Sequence, residues 1–422
     1  MFFKNSRFLL FALSFLITAR IAAADRAEGT YRLLPRIGVD ASGRMPVFRN
    51  SETGALFRPV GSSYLPEFHN TLSPGVYDRQ AAERAIAKMV SGGFTVLRIW
   101  AYHGHFKHRE KEIYGMEGRD HAANTPGLSQ AYMDNLCNFI GLANTYGLYV
   151  HLVIDREPDK TFYRSMVAEG YPDVEGFHHR EYMTSGSIKA KEIYIRELID
   201  NIRRRSPELL STIFAYEIRN EIHSNTRHAP FNRTSGSVKT ASGVYDMGDP
   251  HARLACQEDN VMLFLSRTTT ALKQADPMAL ATASVFGFLP VGKAGMEGHG
   301  LLPTDFKETR WPIRPAALAA SPIDFVCFNS YLPNPWDKAL ESSGIDGRLL
   351  RQKPFVCTEF GAHRQGINDA GEAADSLLQY RRAILKSGFQ GAYLFTWDTT
   401  RHTRWTMMEK DAVIFERLRN DE

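Results

Sequence analysis

Short runs of apolar, β-branched and aromatic residues recur along the chain. Each is followed by a polar stretch, and then by a longer segment whose apolar positions return every three or four residues. Strand-length runs read near 57–63 (FRPVGSS), 94–100 (FTVLRIW), 148–154 (LYVHLVI) and 212–219 (TIFAYEIR), then near 279–286 (ALATASVF), 323–329 (IDFVCFN), 354–358 (PFVCT) and 391–397 (GAYLFTW). Helical spacing covers 78–91, 129–146, 187–204, 258–274 and 369–387; in the third of these Ile188, Ile195, Leu198, Ile199 and Ile202 make one apolar stripe. Gly92-Gly93 and Gly147 stop their helices just before a strand, where a residue free to take positive φ is useful. Strand alternating with helix implies a parallel sheet with crossover helices. Eight such strands suit a closed barrel, because closure leaves no exposed edge. The predicted architecture is α/β, a (β/α)8 TIM barrel.

Residues 25–56 precede the first run and read as an N-terminal extension packed on the barrel as a small hairpin over its bottom, leaving 57–422 as the barrel itself. No repeat at solenoid periods and no linker rich in Pro, Gly or Ser divides that span, so it is read as one domain. The segments after strands are long (101–127, 155–186 and 222–256), whereas those leading back into strands are short. In a barrel the long side is the carboxyl end, where sites are built. Ser224–Gly248, rich in Ser, Thr, Asn and Gly, fits either a wall of a cleft or a mobile segment.

The first 24 residues change the picture of location. A basic start (Lys4, Arg7), an apolar run of about 11 residues from Phe8 to Thr18, and Ala22-Ala23-Ala24 have the three parts of a secretory signal peptide. The run is too short for a bilayer, which takes about 20 residues. The expectation is an exported protein, periplasmic or extracellular, with no membrane attachment after cleavage. Loss of Lys4, Arg7 and Arg20 takes the formal charge from +4 to +1, and no basic stripe interleaved with aromatics points to nucleic acid. The four cysteines, Cys137, Cys256, Cys327 and Cys357, are too few for a disulfide scaffold. Cys327 and Cys357 lie in neighbouring strand runs, which leaves a bridge open, but buried thiols acting as small hydrophobes are the expectation. No Cys-x-x-Cys or His-x-x-x-His spacing marks a metal, and no cofactor is expected. A monomer is expected.

Two carboxylates stand just past the carboxyl ends of apolar strands. Glu221 follows Phe214-Ala215-Tyr216-Glu217-Ile218-Arg219-Asn220, and Glu359 follows Phe355-Val356-Cys357-Thr358. Hydrolysis of a glycosidic bond needs a proton donor to the leaving oxygen and a second carboxylate at the anomeric carbon, and strand ends of one rigid barrel hold two such groups close together. With these residues in view, the chain resembles the glycoside hydrolases of clan A and, within it, the cellulase-like family 5. Asn220-Glu221 looks like that clan's fourth-strand pair. The resemblance implies that Glu221 is the acid/base, that Asn220 binds the sugar 2-hydroxyl, and that Glu359, in Thr358-Glu359-Phe360-Gly361, is the nucleophile. Arg98, in Val96-Leu97-Arg98-Ile99-Trp100, is similar to the second-strand arginine held near the nucleophile. Tyr331 and Trp397, in Leu394-Phe395-Thr396-Trp397-Asp398, are similar to the aromatics of the cleavage subsite. The motifs run in order over nearly the whole mature chain. Two positions depart from the family: Asp155-Arg156-Glu157 stands where a third-strand His is usual, and Asn329 where a sixth-strand His is usual.

Alternation supports part of this independently. Phe325, Cys327, Asn329 and Tyr331 fall on one side of their strand, so Asn329 and Tyr331 share the barrel mouth. Glu217, Arg219 and Glu221 likewise fall together, which puts Asn220 opposite Glu221 unless the strand bulges or ends there. Glu217 is the rival acid, read here as an interior partner of Arg98 or Arg219. Arg98 is either a structural ion-pair partner or a substrate contact. Trp100, Tyr102, His103 and His105 crowd the second loop, where Trp100 and His103 are candidates to line a sugar cleft. The implied activity is a retaining β-glycosidase acting on β-linked glucan- or mannan-type poly- or oligosaccharides. A transglycosylase of the same mechanism and a carbohydrate-binding barrel without catalysis are the alternatives.

Overall fold

Eight strands close on themselves in chain order, each parallel to its neighbours. In the computed structural model, which describes residues 31–419 except 102–105, 109, 168–169, 292–307, 365, 368, 399–403 and 408–411, the barrel strands are β1 (Val60–Ser63), β2 (Val96–Trp100), β3 (Tyr149–Val153), β4 (Ile213–Glu217), β5 (Ala281–Phe286), β6 (Phe325–Asn329), β7 (Phe355–Phe360) and β8 (Gly391–Leu394). This is the (β/α)8 barrel that the alternation of elements predicts. The expected leader at 1–24 and candidate site residue His103 lie outside the described residues. No described helix is long and apolar enough to cross a membrane.

The helices form where their apolar stripes and caps dictate. Asp78 accepts the Ala81 N–H at 2.9 Å to open Arg79–Ser91. Gly147, at φ 73°, closes Gln130–Tyr146, as the sequence requires. The helix read at 258–274 is longer, Pro250–Ala275, because Asp249 caps it and Pro250 occupies the first turn, where its missing N–H costs nothing.

The run read as a first strand at 57–63 is two elements. Leu56–Phe57 pairs antiparallel with Val47–Asn50, which pairs with Ile37–Asp40, and only Val60–Ser63 joins the barrel. The Arg58-Pro59 step breaks the run, since proline cannot donate to a ladder. Gly61 permits the tight packing of β1 on β2, as a Cβ there would come within 1.9 Å of the Val96 carbonyl oxygen. The three-stranded sheet forms the barrel's floor. Phe48 enters from it, fully buried, with its ring centroid 5.2 Å from Phe214 and 5.1 Å from Phe325. Phe57 packs on Tyr149 and Phe214.

Above this aromatic layer the interior turns polar, with Arg98, His151, Glu217 and Cys327 all buried. Above that, Leu65, Trp100, Val153 and Phe395 form an apolar collar beneath the mouth. The four cysteines are free thiols and buried. Cys327 faces the interior and Cys357 the helices, so neighbouring strands do not bring them together. The loop after β4 is not structureless: His223–Asn225 pairs with Arg310–Pro312, and Ser237–Lys239 pairs with Val244–Asp246.

Candidate active site

Strand irregularities aim both glutamates at the mouth. β4 ends at Glu217, and four residues later Glu221 has φ 49°, a left-handed backbone that non-glycine residues seldom adopt. Side chains hold all four backbone polar groups of the Asn220-Glu221 turn. The Asn220 N–H donates to Asp155 Oδ1 (2.7 Å) and its carbonyl accepts from Arg219 Nη1 (3.0 Å). The Glu221 N–H donates to Ser284 Oγ (2.7 Å) and its carbonyl accepts from His223 Nδ1 (2.7 Å). The early strand end resolves the alternation problem, because Asn220 and Glu221 both face the site while Arg219 turns away to Asp155 and Glu181. Thus Arg219 does not share the side of Glu217 and Glu221 that regular alternation predicts.

Glu359 arrives by a bulge. On β7, Val356 faces the interior and Cys357 the helices, so regular alternation would point Glu359 outward. The register against β6 slips by one residue between Val356 and Glu359, pairing Asn329 with Glu359, and the carboxylate swings inward.

Arg98 joins the two halves of the site. Its Nε and Nη2 grip Glu217 at 2.8 and 2.9 Å, Nη1 donates to Glu359 Oε1 at 2.6 Å, and Nη2 also donates to Asn220 Oδ1 at 2.9 Å. Its guanidinium carbon lies 4.1 Å from the Trp100 ring centroid. Burial works against the Arg98 charge, but the Glu217 and Glu359 carboxylates outweigh it and hold the group firmly protonated. Glu217 is therefore the interior partner of Arg98. Burial opposes its charge too, yet Arg98 and His151 keep it ionised below the usual carboxylate range. His151 Nε2 lies 3.1 Å from Glu217, and burial keeps the imidazole below its ordinary value. His151, Glu217 and Cys327 place ligand-type atoms within 4.8 Å of one another. The adjacent Arg98 charge already neutralises Glu217, so this donor set offers little to a cation.

The second oxygen of Glu359, Oε2, accepts from the Tyr331 hydroxyl. Asn329 bridges the carboxylates' surroundings: Nδ2 donates to Glu221 Oε1 (3.1 Å) and Oδ1 accepts from Thr358 (2.9 Å). Asn220 Oδ1 is occupied by Arg98 and by Ser284 Oγ (2.8 Å), which leaves its amide N–H groups for a ligand. Burial, followed by the charge of Glu359, pushes Glu221 up to about 7, with the Asn329 hydrogen bond opposing the rise. One carboxyl is thus poised to carry a proton near neutrality, while its neighbour is held by a guanidinium and a phenol.

The structure brings together Glu221, Glu359, Asn220, Arg98, Tyr331 and Asn329. Trp100 belongs to the site as the ring packed against the Arg98 guanidinium, but at 2% exposure it does not line a cleft surface. Trp397 is a correction. It is fully buried, and its ring packs edge-on against Phe415 of the last helix, centroids 5.6 Å apart, on the outer side of the barrel. The aromatic at the eighth-strand mouth is Phe395, edge-on to both Trp100 and Tyr331 at 6.2 Å. Two positions of offset account for the difference, since motif matching weighs the tryptophan more heavily than its register. Sequence reading also missed His151 and Ser284, which lie within strand runs and carry no distinguishing local pattern, and Arg404, whose Nη1 donates to the Tyr331 hydroxyl at 2.8 Å.

Solved structures of similar architecture include the endo-1,4-β-mannanase of Rhizomucor miehei, 16% identical over 85% of this chain and 90% of that one, with a TM-score of 0.54. The endo-β-1,4-mannanase of Thermotoga petrophila is 16% identical over 87% of this chain and 78% of its own, with a TM-score of 0.56. This chain shares the barrel of those enzymes. A hyperthermostable endocellulase, 13% identical over 92% and 99% of the two chains, has a TM-score of 0.55. No family model matches the sequence, and no curated protein matches it. At such identities the likeness is one of fold, and chemistry has to be argued from the side chains.

Proposed function

We propose that the barrel is a retaining β-glycoside hydrolase acting on β-linked poly- or oligosaccharides of glucan or mannan type. Glu359 attacks the anomeric carbon while Glu221 gives its proton to the departing glycosidic oxygen, leaving a glycosyl ester on Glu359. Glu221, now a carboxylate, then takes a proton from water as the water oxygen displaces Glu359, so the anomeric configuration is kept. The carrying observation is the unequal treatment of the two carboxyls. Glu221 is partly buried and raised to about 7, whereas Glu359 receives Arg98 at 2.6 Å and the Tyr331 hydroxyl. Asn220, with its carbonyl fixed by Arg98, presents donors to the sugar 2-hydroxyl, a contact that strengthens as positive charge develops at the anomeric carbon. The barrel shared with β-mannanases adds weight to a β-1,4-linked substrate.

The test is a screen over β-glycan polysaccharides and aryl β-glycosides, followed by Glu359→Gln on the best substrate. We expect a product of retained configuration, and a loss of kcat of roughly 10⁴-fold or more in the variant. Full activity in Glu359→Gln, or an inverted product, would end the proposal.

A further inference from the structure

Arg404 follows β8 and is tied to the segment that carries the nucleophile. Its backbone bridges to His363, the Trp405 N–H donates to the Ala362 carbonyl (3.1 Å), and Arg364 Nε donates to the Arg404 carbonyl (3.2 Å). The side chain, only partly buried, lies over two faces of the mouth. Its guanidinium carbon is 4.0 Å from the Tyr331 ring centroid and 4.7 Å from that of Phe395, and Nη1 donates to the Tyr331 hydroxyl. Arg98 is paired with Glu217 and Glu359, and Arg219 with Asp155 and Glu181. Among the described residues no carboxylate is paired with Arg404, and its Nε is buried with no hydrogen-bond partner. A half-buried cation at a strand end ordinarily has an acid beside it. Among the described residues Arg404 has none.

The two oxygens of Glu359 orient the sugar relative to this cation. Oε1 faces Arg98 and, through it, Asn220; Oε2 faces Tyr331. With the 2-hydroxyl on the free Asn220 amide, C2 of the ring at the cleavage point lies on the Oε1 side. The ring oxygen and C5, on the other side of the anomeric carbon, then lie toward Tyr331, and the exocyclic carbon on C5 extends toward Arg404. We propose that this ring carries a carboxylate at that carbon, so that the substrate is a β-linked uronosyl glycan, the C6-acid counterpart of a glucan or mannan. A planar guanidinium matches a carboxylate through paired N–H donors, whereas a neutral hydroxymethyl group leaves its charge unanswered. Arg404 also stands between that carboxylate and Glu359, where two like charges would otherwise repel across a poorly solvated gap. The proposal rests on the retaining-hydrolase reading and narrows it.

The experiment compares kcat/KM for 4-nitrophenyl β-uronosides with the matched neutral glycosides of gluco and manno configuration, in the wild type, Arg404→Met and Arg404→Lys. The wild type should favour the acid by roughly 10²-fold. Arg404→Met should erase that preference, costing the uronoside roughly 10²-fold and the neutral glycoside no more than the ~10-fold that a loosened Tyr331 would cause, with partial recovery in Arg404→Lys. A wild type that prefers the neutral sugar, or an Arg404→Met variant that loses both substrates alike, overturns the proposal; in the second case Arg404 serves Tyr331 alone. Labelling by 2-fluoro glycosyl fluorides separates the two levels. Esterification of Glu359 by the neutral probe only leaves the hydrolase reading intact and sinks the uronosyl one, whereas no labelling and no hydrolysis with either probe sinks both.

Discussion

At the scale of single residues, the site works by giving like groups unlike surroundings. Glu221 and Glu359 are both carboxyls at strand ends. Glu359 shares a guanidinium and a phenol, while Glu221 has burial, an adjacent charge and one amide hydrogen bond. The amide matters for pH. Asn329 Nδ2 stabilises the charged form of Glu221 and so lowers its affinity for the proton. Because the first step needs Glu221 protonated, kcat/KM should fall as pH rises through about 7. Replacing Asn329 with Ala removes a contact to the carboxylate and should move that limb to higher pH, by somewhat less than ~1 pH unit. A pH–rate profile of Asn329→Ala whose basic limb stays put or moves down would contradict this assignment. A histidine at position 329 would bring a titrating group to the same oxygen. An amide does it without a second ionisation near neutrality.

At the scale of elements, three strand ends decide the chemistry and a short sheet decides the packing. β4 stops early and β7 bulges, and each irregularity turns a residue through the alternation that would otherwise hide it. Phe395 rather than Trp397 meets the mouth because the residues after β8 continue at that register, leaving the tryptophan to pack under the last helix. At the opposite end the floor sheet plugs the barrel with one ring. Phe48 is fully buried between Phe214 and Phe325, and its replacement by Ala should leave an aromatic-lined cavity costing about 3–5 kcal/mol. Urea unfolding measures this. A loss under ~1 kcal/mol would mean that the floor is dispensable to the barrel. The catalytic mouth lies at the other end of the strands, so kcat at a temperature well below unfolding should change little.

At the scale of the whole molecule, the interior is layered along the barrel axis as an aromatic floor, an ionic middle and an apolar collar under the mouth. The ionic layer is tolerable because Arg98 satisfies Glu217 with two hydrogen bonds and passes a third to Glu359. All four thiols are buried within this packing, and burial pushes Cys137 and Cys256 up to about 12. The folded protein should therefore leave its thiols unreacted toward a disulfide reagent at neutral pH and release all four only on unfolding. Rapid titration of one or more thiols in the native state would show that the packing opens on that timescale.

Periodicity determined the barrel and its longest helices, because burial against a shared core imposes the same spacing on every strand and helix, and unequal loop lengths marked the carboxyl end as the side of the site. The placement of Glu221, Glu359, Asn220 and Tyr331 at strand ends, and of Arg98 within the second strand, was legible through short motifs in chain order. What the chain could not reveal locally were the register slip that turns Glu359 inward, the offset that exchanges Trp397 for Phe395, and the meeting of Arg404 with Tyr331 across 73 positions. Each depends on how one strand end sits against its neighbour. That relation is set by the summed packing of residues distant in sequence, and a single-residue shift reverses the side to which a side chain points.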